Sequence, residues 1–111
     1  MSRDVPESDW KIFRKLRELA LERFCERVLK DLDTLRGDDS RSHHERYLAI
    51  FRMLHERDDE LAHAFNNPRR SQMIVQLGAM HAHELLASDE MARFSPETRA
   101  AAEFLAKEFS Q

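Results

Sequence analysis

The chain has 111 residues, 41% of them hydrophobic and 35% charged, with a formal net charge of −3. That suffices for one domain with its own core, is too apolar for a disordered chain, and lacks the basic excess that marks nucleic-acid or anionic-membrane binders. Two glycines and three prolines leave few breaks, so long helices with short joints are expected.

The first helix is expected over residues 9–36. Ser8 can cap it and Asp9 suits its positive end. Phe13, Leu16, Ala20, Phe24, Val28 and Leu35 share one face at 100° per residue, widened by Trp10, Leu21 and Leu32. The stretch RGDD then ends it, with Gly37 available for a left-handed cap. The second helix is expected over 42–66. Ser42 and Glu45 form a capping box, and Tyr47, Ile50, Phe51, Leu54, Leu61 and Phe65 make its stripe.

The third helix is expected over 68–87, capped by Asn67 with Pro68 at its first position. Met73, Ile74, Val75, Leu77, Met80, Ala82, Leu85 and Leu86 make it apolar almost all round. Such a helix is either central in its fold or covered by a partner. The stretch SDEMARFSPE reads as a helical turn with Met91 and Phe94 inward. Ser95 and Pro96 open a last helix over 96–109, with Ala101, Phe104 and Leu105 as its face. Together these predict one all-α domain over residues 1–111, a compact antiparallel bundle of three long helices and a shorter C-terminal one.

Chemistry is sparsely advertised. His81 and His83, two apart, point about 200° from each other on a helix, so one metal cannot take both. His81 reads as a core histidine, and His83 as a surface one beside Gln72 and Gln76. In HERDDELAH, His55, Asp59 and His63 climb one side of the second helix, and Glu60 with His63 forms a Glu-x-x-His. A di-iron bundle needs two such motifs, and the chain holds one, so no bound metal or cofactor is expected. Cys25 reads as a small buried hydrophobe, and Gly-rich phosphate loops, G-x-S-x-G and CxxC are absent. Arg14, Lys15, Arg17, Arg23, Arg27 and Lys30 interleave with Glu18, Glu22 and Glu26, a pattern of surface pairs. Arg69 and Arg70 sit at an expected helix start, which the macrodipole disfavours.

Three charges break the helical pattern: Arg17, Asp31 and Asp58 fall on apolar faces. A hairpin turning at residues 38–40 sets Asp58 near Arg17, predicting a buried ion pair. It also sets Asp31 opposite Tyr47, with Arg27 as the alternative partner. Gly78 is expected where another helix comes close.

In general character the chain resembles small, single-domain, all-helical bacterial proteins, a resemblance that brings no functional residue with it. The opening MSRDVPESDW has no secretion-signal core and no run reaches membrane-span length, so a cytoplasmic location is expected. The expected function is a non-catalytic interaction or regulatory module, homodimeric through its third helix. Its rivals are a small metal-dependent enzyme using His55, Asp59, His63 and His81, and a nucleic-acid-associated regulator reading through the first helix or Arg69 and Arg70.

Overall fold

A computed structural model of the chain describes residues 5–109. Its helices are α1 (Glu7–Arg36), α2 (His43–Phe65), α3 (Met73–Ala82), α4 (Ser88–Met91) and α5 (Pro96–Phe109), with a 3-10 turn at Arg70–Gln72 before α3. The described residues contain no strand, and the all-α class holds.

The long third helix expected over 68–87 is instead a helix of 10 residues, shorter than the C-terminal α5 with 14. Asn67 does not cap it. Asn67 sits in the left-handed region at φ 51°, and residues 66–69 run non-helically before the 3-10 turn. At the other end, Glu84 is left-handed at φ 56°. The Leu85 amide donates to the Met80 carbonyl and the Glu84 amide to that of His81, each at 3.0 Å. This is the hydrogen-bond pair that terminates a helix through a left-handed residue, a position glycine usually fills. A glutamate there leaves this helix end without a stop signal in the sequence. The glycine cap expected at Gly37 is absent: its φ is −85°, in the ordinary right-handed range.

The ends of α1 and α2 also differ in detail. α1 begins at Glu7 after Pro6, with no side-chain cap from Ser8. α2 has the expected capping box, Ser42 and Glu45 each accepting from the other's amide at 3.1 and 2.8 Å.

Phe13, Leu16, Ala20, Phe24 and Val28 of α1 are buried as their spacing requires, against Phe65, Met73, Leu77, Met80 and Leu85. α3 is thus central: α1, α2 and α5 of its own chain meet its apolar circumference, and Val75 alone among its large side chains is exposed. The apolar excess that pointed to a partner on this helix is covered from within.

α5 packs on a different face from the one its larger residues suggested. Thr98, Ala102 and Ala106 are buried, whereas Phe104 is 65% exposed. The row of small side chains lets α5 lie directly on Gly78. A β-carbon there would stand 3.1 Å from the Ala102 carbonyl oxygen and from the Leu105 Cβ. One of those neighbours is backbone and cannot swing away. Gly78→Leu is therefore expected to lower the unfolding free energy by about 3 kcal/mol, or to prevent folding, as overpacking of a tight core does. Urea unfolding followed by circular dichroism checks this, and a loss below about 0.5 kcal/mol would contradict the close approach.

Candidate functional site

A helix leaves its last carbonyls without donors, and its C-terminus carries partial negative charge. In this chain arginines answer that need. Arg17 of α1 donates through Nε and Nη2 to the carbonyl of Phe65, the last residue of α2, and its guanidinium lies 5.9 Å from the Phe65 ring. Arg27 donates to the carbonyls of His83 and Glu84, just past α3. Arg23 donates to the Leu85 carbonyl at 2.8 Å and grips both oxygens of Glu90 at 2.7 and 3.0 Å. Arg46 of α2 returns the favour, donating to the carbonyl of Arg36 at the end of α1, 2.6 Å away.

Carboxylates serve the helix starts. Glu90 is buried and also accepts from the Ala87 amide at 2.7 Å, at the beginning of α4. The Arg23 guanidinium, and then the Ala87 amide, hold its carboxyl below the usual glutamate range against the opposing effect of burial. Asp9 is only 2% exposed and accepts from the Ser95 amide and from the hydroxyls of Ser95 and Thr98, at 3.0, 2.6 and 2.6 Å. Burial pushes its carboxyl up, but the three donors together outweigh burial and hold it below the usual aspartate range. Asp9 therefore joins the first turn of α1 to the first turn of α5, rather than serving its own helix dipole.

The predicted pairs of α1 and α2 are redistributed. Arg17 faces Phe65, Asp31 faces Arg57 at 2.8 Å, and Arg36 faces Arg46, so these two helices run in opposite directions. Their register is displaced by about one helical turn or more from the one that paired Arg17 with Asp58. Asp58 is exposed beside Cys25, Val28, Leu29 and Leu54, and no Arg17–Asp58 pair forms. Asp31 meets neither Tyr47, which is 65% exposed, nor Arg27, which is committed to α3.

The histidines are scattered. His55 and Asp59 are exposed, the His55 ring lying parallel to that of Phe51 at 6.4 Å. His63 sets its ring edge-on to Phe109 at 6.0 Å. His81 is half-buried at the end of α3, far from a ligand set with the others. Among the described residues no three His, Cys, Asp or Glu side chains gather as a metal would need. His83 is not a solvated surface residue, since its ring stands edge-on to Phe24 at 6.2 Å. Gln76, expected on a polar side, is buried and donates to the Asn66 carbonyl at 2.6 Å. Arg70 is paired with Glu7 at 2.8 Å and covers the Trp10 ring at 5.6 Å.

With polar chemistry spent on helix ends, the remaining feature is the arm formed by the far halves of α1 and α2. No residue from Leu29 to His63 is buried. Yet Leu29, Tyr47, Phe51 and Leu54 lie along it as exposed large apolar side chains. Between the two helices runs a groove of about 240 Å³ lined by Phe24, Cys25, Val28, Leu29, Leu54 and Leu61, with Arg57 and Asp58 at its margin. The stripe that the sequence assigned to the core of α2 is real, but only its C-terminal end reaches that core: Phe65 is buried in it and Leu61 is half-buried against it. The sequence signal for the arm is therefore the stripe itself, and the missing information was that the described residues leave Tyr47, Phe51 and Leu54 of it exposed.

No helix among the described residues is long and apolar enough to cross a membrane. Comparison with family models, with curated proteins and with solved structures finds no match for this chain.

Two expectations follow from the polar contacts. Asp9 and Glu90 bind protons less readily folded than unfolded, so the stability they contribute is full above their ordinary values of 3.8 and 4.5 and fades as pH falls through their lower folded values. Acid titration of the unfolding free energy should show a decline beginning near about pH 5, shallower in Glu90→Gln and in Asp9→Asn. Arg23→Met leaves Glu90 and the Leu85 carbonyl without their donor. Because the Arg23 side chain is itself 36% exposed, water replaces part of the lost bonding. The cost should be about 1–2 kcal/mol rather than the 3–5 of a fully buried pair, as read by urea unfolding.

Proposed function

We propose that this chain is a non-catalytic helical interaction module that self-associates and works in the cytoplasm, with the outer face of the α1–α2 arm as its working surface. The observation that carries the reading is the contrast within α2: its stripe has helical spacing, while Tyr47 and Phe51 are 65% and 60% exposed. A single exposed apolar residue is ordinary, but a row of them on one helix face is how partner-binding helices are built. Arm residues have no core task to explain their apolar character. The lone cysteine and the unremarkable net charge agree with an intracellular protein that meets other proteins rather than nucleic acid. Asp31, Arg46 and Arg57 stiffen the arm from within, so the exposed row is presented on a preformed surface.

A photo-crosslinking residue placed at position 51 or 29 in cells of the source organism should yield covalent adducts larger than one chain. The same group at Arg14, exposed on α1 away from the arm, should yield none. Absence of adducts from both arm positions would overturn the reading.

A further inference from the structure

We infer that the partner of this arm is a second copy of the chain, docked antiparallel through α2 about a two-fold axis at Phe51; this rests on the reading of the arm as an interaction surface. The argument is one of self-complementarity. At 100° per residue, His44, Tyr47, Leu48, Phe51, Leu54, His55 and Asp58 fall on one side of α2. Their steps alternate between three, one and three residues, and they are symmetric about Phe51. All are exposed except the half-buried Leu48, and the parallel rings of Phe51 and His55 show that this side is continuous.

A two-fold interface places the same patch on both subunits, so whatever lies one way from the axis must suit what lies equally far the other way. Here it does. Phe51 of each copy meets the other at the axis. Tyr47 of one lies beside Leu54 of the other, and Leu48 beside His55, so aliphatic surface meets a ring on both flanks. At the two ends, His44 of one copy stands against Asp58 of the other, an N–H donor facing a carboxylate. Reversing the direction would set Asp58 beside Asp58 and His44 beside His44, matching no end with a partner. The antiparallel arrangement also sets the two helix dipoles in opposite senses.

This assigns Asp58 a role. It is a carboxylate on an apolar face, with no ion pair or hydrogen bond to its side chain among the described residues, exposed at the end of a row of apolar side chains. On a dimer it fixes register, as charges at the rim of a helix pair do. The contact is one helix against one helix, at the small end of specific interfaces, so the dissociation constant should be on the order of micromolar.

Sedimentation equilibrium of the purified full chain should show a monomer–dimer equilibrium between about 1 and 500 μM. Phe51→Glu, at a position outside the core, should leave the circular dichroism spectrum unchanged and raise the dissociation constant at least tenfold. His44→Glu should weaken the dimer by facing two carboxylates together, and His44→Glu with Asp58→Lys should restore it to at least the original strength. A wild-type chain that stays monomeric throughout would overturn the inference, as would a dimer indifferent to Phe51→Glu. Failure of the double exchange to rescue would overturn the antiparallel register. The crosslinking adducts separate the two readings: a mass of twice the chain is expected here, adducts of other masses alone would reject self-pairing, and with it the self-association proposed above, while keeping the arm as an interaction surface, and no adducts would reject both.

Discussion

The fold depends on where the last carbonyls of its helices find donors. α2 ends at the buried Phe65, where an unsatisfied carbonyl costs on the order of 1–3 kcal/mol, and α3 ends nearer the surface beside the core. α1 supplies the donors along its length: Arg17 for α2, and Arg23 and Arg27 for the turn that follows α3. These contacts fix α1 against both neighbours at once. They also explain how Glu84 can hold a left-handed conformation: the carbonyls on either side of it, and its own, are tied to two guanidinium groups. The bidentate grip on Glu90 extends the same anchoring to α4.

The second constraint is the contact of α3 with α5. Gly78 on one side and the backbone of Ala102 and Ala106 on the other, with only the Leu105 Cβ beside them, bring the two helices into close contact. Dispersion between closely packed helices then replaces the burial that larger residues would supply. Asp9 closes the arrangement from below by capping the start of α5 with a side chain from α1. The consequence is that Phe104 and Phe109 are left on the outside of α5, since the helix is rotated to put its smallest residues inward.

Periodicity made the helices, the α1 face, the α2 capping box and the span of α5 legible in the sequence, because each depends on neighbours within a few residues. Gly78 was legible too, since a glycine inside a helix needs a reason that close packing supplies. What was not legible depends on partners far along the chain. Nothing around Glu84 marks a helix end, because the donors that permit it sit on α1. Arg17, Arg23 and Arg27 looked like surface cations or members of an ion pair because carbonyls, unlike carboxylates, leave no mark in a sequence. The Arg17–Asp58 pairing failed for a related reason. Turn position fixes direction, but register was set by Arg17 reaching Phe65, and a displacement of about one turn is enough to exchange every partner. The α2 stripe is amphipathic, but a stripe says which side seeks cover and not whether the same chain supplies it.

The arm and the core accordingly obey different rules. In the core, helix α1 is held by buried side chains at Phe13, Leu16, Ala20, Phe24 and Val28, and the same helix then continues beyond them with none. Beyond Val28 its stability rests on α2, the Asp31–Arg57 and Arg36–Arg46 contacts, and the capping box at Ser42. Such contacts are individually worth about 0.2–1 kcal/mol, which is enough to hold two paired helices in shape but not to explain why their outer surface is apolar. Retaining Tyr47 and Phe51 in water costs solubility without adding to the fold. That cost is intelligible if the arm's outer surface spends part of its time covered. The chain is thus physically divided, with polar groups spent on helix ends in the core and apolar groups displayed on the arm, and it is on this division that the proposed interaction surface rests.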